Sequence, residues 1–469
     1  AGLLIGFLIF GSALVVTGGG EFFMTFATAL MGRSRGGPAK VAILSSGFFG
    51  SLSGSVISNV VTTGQLTIPT MKRVGYPPTY AGAVEACAST GGALMPPVMG
   101  AVAFIMAEFL NIPYSTVMIA AIVPALLFYL ALLLQADNYA ARNGLKGQPA
   151  DEIPELWATL KGGWHFLISL VLLIYMLLWG GYPILNVSEA HAPYVATLVL
   201  LFTSALQRTN AFRLDKVPGL IIDAVKNIAN IVGVLAGIGM IVGSLSYTGV
   251  GGAFSRELLQ FAGGNVLLLL FFGAITSFVL GMGMTVTAAY IFLAIILAPA
   301  VIKSGLDPMA VHMFLLYWGM LSFITPPVAL AAFAGASIAR AKPMETGLEA
   351  MRLGSIIYFI PFFFAFNPAL LFRGSAMEIV VVIVTAAVGV WVTASALQGY
   401  MAGFGRMAQG VVGWIGRALT GIGGLILAAP GRGMLGIGHL ELALVAAVVI
   451  GIGLGACLID RRVSRVARA

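Results

Sequence analysis

Four apolar stretches of this chain are interrupted by short runs of small and hydroxyl-bearing residues, and those interruptions are where the sequence could do chemistry. Ser51-Leu52-Ser53-Gly54-Ser55 splits the stretch 41–70, and Ser89-Thr90-Gly91-Gly92 followed by Pro96-Pro97 splits 77–109. Gly281-Met282-Gly283-Met284-Thr285 splits 265–303, and Ser322-Phe323-Ile324-Thr325 followed by Pro326-Pro327 splits 308–338. A broken helix leaves carbonyl oxygens and N–H groups unpaired at two facing ends. Carbonyls with Ser and Thr hydroxyls suit a small hard cation such as Na⁺, and half-helix N-termini suit an anionic group. The expected sodium ligands therefore join Ser53, Gly54, Ser55 and Asn59 with Ser89, Thr90, Gly91 and Gly92. A second set joins Gly281, Gly283 and Thr285 with Ser322 and Thr325.

Two adjacent prolines cannot sit inside a helix but can open one, where the first N–H groups are unpaired anyway. Pro96, Pro97, Pro326 and Pro327 are thus expected to open half-helices that face a substrate. Glu85 joins them as a substrate-binding candidate. It lies in the apolar run 81–88, and a carboxylate within a membrane is functional by default. The competing reading pairs it with Lys72 or Arg73. His312, near the start of its stretch, is expected at the interface, and Asn367 before Pro368 at a helix end.

The elements that must position these residues follow from length. Helical arms over 41–52 and 55–68 would span about 18 and 21 Å, against a hydrocarbon core of about 30 Å. Neither arm crosses alone, and Arg33, Arg35 and Lys40 precede the pair while Lys72 and Arg73 follow it. If both basic clusters stay cytoplasmic, 41–70 is a re-entrant hairpin. The pattern recurs: 42 positions separate Gly54 from Pro96, 43 separate Gly283 from Pro326, and both Pro-Pro pairs precede Val. Interrupted segments at matching positions in two halves point to a secondary transporter built from repeats. Ordinary spans are expected near 2–17, 114–134, 164–182, 192–206, 228–247, 353–372, 377–398 and 440–458, with a weaker one at 410–429. Counting crossings puts the second hairpin on the opposite face, so the repeats are expected to be inverted. The expected division is 1–134 (first repeat), 135–227 (connecting helices and loops), 228–372 (second repeat) and 373–469 (C-terminal extension).

Composition supports an all-α polytopic membrane protein. Hydrophobic residues make up 59% of the 469 positions and charged residues 9%, whereas a soluble domain carries about 25% charged residues. The net charge of +8 does not indicate nucleic acid. The basic residues sit in short connectors such as 207–227, with Arg208, and at Arg461, Arg462, Arg465 and Arg468, as positive-inside orientation requires. Two cysteines, Cys87 and Cys457, form no metal knuckle. No nucleotide-binding motif or paired catalytic carboxylates appear, which disfavours an ATP-driven pump or an intramembrane hydrolase. An enzyme is not expected. The chain opens inside a hydrophobic run without Met, and a fragment of a longer fused permease is expected.

The stretch Gly47–Val98 resembles the large membrane subunit of tripartite ATP-independent periplasmic (TRAP) transporters. It carries Ser-Gly-Ser-Val-Ile-Ser-Asn, Thr-Ile-Pro-Thr-Met-Lys-Arg-Val-Gly-Tyr-Pro-Pro and Ala-Ser-Thr-Gly-Gly-Ala-Leu-Met-Pro-Pro-Val. Glu85-Ala-Cys-Ala-Ser-Thr-Gly-Gly, with the motifs starting at Gly281 and Ile324, resembles the TAXI-type branch. The resemblance covers about residues 1–372. It implies an elevator-type carrier in the bacterial inner membrane, driven by a Na⁺ gradient. It also implies a periplasmic solute-binding protein that delivers an organic acid or amino acid, and a small membrane subunit or missing fused portion. The alternative is a sodium-coupled dicarboxylate carrier that works without a binding protein.

Overall fold

The computed structural model describes residues 2–180, 187–207, 212–407, 410–431 and 436–466. Arg208, Arg468 and the end of the expected span 164–182 lie outside them. Among the described residues, a two-stranded ribbon pairs Tyr400–Met401 with Gly405–Arg406, and the other regular elements are helical. Five described helices are long and apolar enough to cross a membrane, or up to eight if each of three bent pairs counts as one span. This is the architecture of a multi-pass membrane protein.

The stretch 41–70 folds as a helical hairpin, Gly37–Ser53 and Val56–Arg73. With 17 and 18 residues, its arms extend for about 26 and 27 Å, longer than expected because the first starts at Gly37-Pro38 and the second runs on through Pro69 to Arg73. Gly54 closes the first arm in the left-handed region, φ 62°, and its N–H returns to the Gly50 carbonyl. Ser55 then caps the second arm by accepting from the Ser58 N–H. Side chains bridge the antiparallel arms: Ser46 Oγ meets Thr63 Oγ1 at 2.9 Å, and Asn59 Nδ2 donates to the Ser46 carbonyl at 2.8 Å. The second hairpin repeats the design with Val266–Gly281 and Val286–Ile296, a left-handed Gly283 and a Thr285 N-cap.

The broken segments depart from expectation at their breaks. Helix Pro78–Gly92 runs straight through Ser89–Gly92, and the next helix starts at Ala101, not at Pro96. In the second half, Pro308–Met320 passes through a 3₁₀ turn at Leu321–Phe323, and the next helix starts at Leu330. The proline pairs therefore lie inside the breaks, both with a cis bond between the prolines. The pairs do not open the next helix as Pro77-Pro78 opens Pro78–Gly92, because Met99, Gly100 and Ala329 behind them lie at positive φ, outside the right-handed helical region. Helices Ala101–Leu110 and Leu330–Ala339 are both ten residues long. Each ends on a left-handed residue, Asn111 (φ 52°, ψ 48°) or Arg340 (φ 54°, ψ 47°). The N–H after each cap reaches back five residues, Ile112 to Ala107 and Ala341 to Ala336, so the last carbonyls are satisfied in the same way.

The two halves interlock. Leu330–Ala339 packs on Pro78–Gly92 and Val56–Arg73, while Ala101–Leu110 packs on Pro308–Met320 and Val286–Ile296. The first contact depends on close backbone approach: a methyl added to Gly335 would lie 2.5 Å from the Gly82 carbonyl oxygen.

The expected span 2–17 is the helix Gly2–Val16, and bends lie at its end and at the start of 353–372. Leu4–Val16 and Gly19–Met31 meet at 68° across Gly18, and Pro343–Leu353 meets Ser355–Phe366 at 69°. Thus 353–372 is not one straight crossing: Gly354, Pro361 and Asn367-Pro368 divide it into short helical pieces. Asn367 satisfies the helix end as expected, accepting from the Ala369 N–H at 2.9 Å. Beyond it, Ala376–Gln398 joins the body through Gln398 Nε2 to Gln135 Oε1 at 3.0 Å.

Two tests follow from the hairpins. Cys87 and Cys457 are buried, so an impermeant maleimide reports cysteines introduced elsewhere. Ser34→Cys and Val74→Cys should both label from the cytoplasmic side, and labelling from opposite sides would contradict a re-entrant first hairpin. The two tips also differ. A methyl at Gly54 would lie 2.3 Å from Gly100 Cα, whereas nothing lies within 4 Å at Gly283. Alanine at either site incurs ~1–2 kcal/mol for the left-handed backbone, and Gly54→Ala adds ~1–3 kcal/mol of overpacking. The thermal unfolding midpoint of the purified protein should fall further for Gly54→Ala; equal falls would exclude a packed first tip.

Candidate functional site

Gly54 does not face Ser89–Gly92 but packs on Gly100, in the break that precedes helix Ala101–Leu110. Next to it, the Ser53 hydroxyl is buried and has no hydrogen-bond partner among the described residues. An orphaned buried oxygen at the C-terminal, carbonyl-rich end of a helix is a donor set that fits a hard cation. Ser55 is exposed and spends its oxygen on the helix cap.

The remaining first-site candidates lie deeper and are committed elsewhere. Asn59 bridges the hairpin arms, and the Thr90 hydroxyl returns to the Ala86 carbonyl at 2.7 Å. Gly91 and Gly92 serve packing: methyls there would lie 2.5 Å from Phe128 Cε1 and 2.7 Å from Gly50 Cα. In the second half, the Ser322 hydroxyl donates to the Gly281 carbonyl at 3.0 Å and the Gly319 carbonyl at 3.1 Å. Gly281 lies so close to Gly319 that a methyl would be 2.3 Å from its oxygen. This joins the second hairpin to the second break at Gly281 and Ser322. Thr325 Oγ1 is 2.5 Å from the Tyr358 hydroxyl, while Gly283 and Thr285 are exposed at the open tip.

The proline pairs do not present N–H groups to a polar site. Pro96 and Pro97 line an apolar cleft of about 490 Å³ with Met118, Ile119, Ile174 and Trp179. Pro326 packs where a methyl at Gly347 would meet its ring at 2.8 Å, and Pro327 is exposed. The N-termini nearest the breaks are those at Ala101 and Leu330, neither capped by a side chain.

Glu85 overturns both sequence-based pairings. Lys72 Nζ donates instead to the Ala339 carbonyl at 2.7 Å, and Arg73 pairs with Glu152 at 2.5 Å. Glu85 is fully buried, and four hydroxyls surround its carboxyl group. Ser46 and Thr63 lie 2.5 Å from Oε1, Ser89 lies 3.1 Å from it, and Thr67 binds Oε2. Both hairpin arms and the broken helix thus converge on one carboxyl group. Ser46, Thr63 and Thr67 were absent from the sequence-based site. The available signal was a polar stripe, Asn59, Thr63 and Thr67 at i, i+4 and i+8, matched by Glu85 and Ser89 at i, i+4 on the next helix. His312, expected at the interface, is also buried, with Nδ1 2.7 Å from the Tyr290 hydroxyl.

Comparison of the sequence with known proteins places the chain in a family. The chain is 26% identical over 346 residues to the isethionate TRAP transporter permease protein DctMQ of Oleidesulfovibrio alaskensis, covering 72% of this chain and 52% of that protein. It therefore spans about half the length of that relative. It is 25% identical over 337 residues to the C4-dicarboxylate TRAP transporter large permease protein DctM of Pseudomonas aeruginosa, covering 72% and 77% of the two chains. Against the sialic acid TRAP transporter large permease protein SiaM of Vibrio cholerae it is 23% identical over 327 residues, covering 70% and 74%. The profile of one family, "Tripartite ATP-independent periplasmic transporter, DctM component", matches residues 1–379. With that match spanning most of its length and its interrupted helices, the chain belongs to the DctM family of TRAP transporter large permeases.

Proposed function

We propose that this chain is the large membrane subunit of a Na⁺-driven importer of organic acids or amino acids in the bacterial inner membrane. The observation that carries this reading is the interlocking of two hairpins with two broken helices, each pair built alike. Residues 1–134 and 228–372 are read as inverted repeats, with 135–227 connecting them and 373–469 as an extension. The hairpins are read as re-entrant from opposite faces. Irregular backbone at membrane depth is tolerated only inside protein or along a cavity, and here each break packs within its own half, Gly100 on Gly54 and Ser322 on Gly281.

Na⁺ is placed at the hairpin tips. The first site is centred on Ser53, Gly54 and the carbonyls around Gly100, the second on Gly281, Ser322 and Thr325. Ser89, Thr90, Asn59, Gly91 and Gly92 support the first site from behind rather than ligating. The anionic substrate is placed at the uncapped N-termini of Ala101–Leu110 and Leu330–Ala339, where partial positive charge is available. Movement is of the elevator type, and a periplasmic solute-binding protein and a small membrane subunit complete the assembly. The motif beginning at Glu85 supports a TAXI-type member.

The test is uptake by the complete permease in proteoliposomes under an inward Na⁺ gradient, with its binding protein. A panel of radiolabelled isethionate, C4-dicarboxylates, sialic acid, diketogulonate and amino acids supplies the substrate. Ser53→Ala should raise the half-saturating Na⁺ concentration by about 5- to 150-fold, because an uncompensated ligand contributes ~1–3 kcal/mol. Uptake should also disappear without the binding protein. Transport indifferent to Na⁺ would refute the mechanism, and full uptake without any soluble partner would favour a self-sufficient carrier.

A further inference from the structure

The carboxyl group of Glu85 has no role in the sodium reading, yet it is the most elaborately surrounded polar group in the first half. We propose that Glu85 and the hydroxyls of Ser46, Thr63, Thr67 and Ser89 form a proton-binding site that loads and releases one proton during the transport cycle. The coupling rests on the transporter reading above; the site itself rests on its own geometry.

The first argument is a count of protons. Thr63 Oγ1 lies within hydrogen-bond distance of Glu85 Oε1, the Ser46 hydroxyl, the Asn59 carbonyl and Asn59 Oδ1. Thr67 Oγ1 faces both Glu85 Oε2 and the Thr63 carbonyl. Each hydroxyl has one proton to donate, so the four hydroxyls cannot fill all these oxygen–oxygen contacts. A proton on the Glu85 carboxyl supplies a further donor inside the cluster.

The second argument is spacing. Oxygens 2.5 Å apart, as Glu85 Oε1 is from Ser46 and Thr63, are at the separation of a charge-assisted or shared-proton hydrogen bond. Carboxyl and hydroxyl oxygens at that separation can hold a proton between them.

The third argument is the absence of a counter-charge. On the first arm Lys40 is paired with Asp137 of helix Tyr114–Asn143, and on the second arm Lys72 and Arg73 are engaged as described. Tyr129 of helix Tyr114–Asn143 donates to the Ala88 carbonyl, and Arg142 of that helix donates to the Gln398 carbonyl. On Pro343–Leu353, Glu349 and Arg352 pair with each other, and Glu345 pairs with Lys342. Leu330–Ala339 carries no titratable side chain. On the helix of Glu85, Tyr80 stacks on Tyr139 and Cys87 donates to the Ala350 carbonyl. Among the described residues, no cation bonds to Glu85. A buried carboxylate without a counter-ion is costly, and protonation removes the charge.

The second half shows what the alternative looks like. The Pro that starts each broken helix and the residue that caps each second arm are 230 positions apart, Pro78 to Pro308 and Ser55 to Thr285. At that offset Glu85, Thr63 and Thr67 correspond to Leu315, Leu293 and Leu297, all fully buried. The same framework closes with leucines, so the polar cluster is a feature of one half and not a requirement of the hairpin. Its carboxyl group ties both arms to the broken helix, and gain or loss of its proton changes the hydrogen bonds at that joint.

The test is infrared difference spectroscopy of the purified full chain in lipid nanodiscs, at constant Na⁺, between mildly alkaline and mildly acidic buffer. The wild type should gain a carboxylic-acid carbonyl band on acidification that Glu85→Gln lacks. Thr67→Val should keep the band but displace its frequency, because one hydrogen bond to the carboxyl is gone. Thr67→Val keeps the proposal falsifiable should Glu85→Gln fail to fold. Identical difference spectra for wild type and Glu85→Gln, or an unmoved band in Thr67→Val, would overturn the proton site. The readout needs neither a Na⁺ gradient nor a transported solute, so its outcome is independent of the sodium reading.

Discussion

The structure depends on one constraint: a backbone that leaves its helix inside a bilayer must find every hydrogen-bond partner within the protein. Four segments here break that regularity; three of the breaks pack within their own half, and the tip at Gly283 stays open. Glycine makes the coverage possible. Gly54 against Gly100, Gly50 against Gly92, Gly281 against Gly319 and Gly82 against Gly335 are all contacts that a single methyl would obstruct. These glycines let backbone approach backbone, between helices in three of the pairs and between two breaks at Gly54 and Gly100.

The positions of the hairpin tips were readable from sequence because they depend on local chemistry. A Gly followed by a Ser or Thr cap within an apolar run stops one helix and starts another, and Gly54-Ser55 and Gly283-Met284-Thr285 do so as expected. The breaks in the other pair were located less well. Ser89–Gly92 reads as a helix breaker by composition, but tertiary packing against Gly50 and Phe128 holds it helical. The proline pairs do mark the breaks, though the helix resumes only when the chain has turned, at Ala101 and Leu330. The span expected over 353–372 failed for a related reason: hydropathy is blind to Gly354 and Pro361, which divide it.

The Glu85 cluster was the least readable part. Its partners come from three helices, and no local pattern states which polar stripe faces which. The sequence placed a carboxyl near basic residues, and the nearest charges in sequence were the natural partners. In the fold, Lys72 and Arg73 sit one to two turns beyond Thr67 on the same helix and are drawn to the Ala339 carbonyl and Glu152. The first hairpin therefore combines two kinds of polar site, an orphaned hydroxyl at its tip and a hydroxyl-caged carboxyl group along its arms, whereas the second combines an open tip with leucine-packed arms.

The central claim is that the interrupted pairs hold Na⁺, and equilibrium binding of radiolabelled Na⁺ to the purified chain tests it most directly. The account predicts saturable binding that K⁺ does not displace, that Ser53→Ala weakens and that Glu85→Gln retains. Absence of saturable Na⁺ binding in the folded wild-type protein would contradict it.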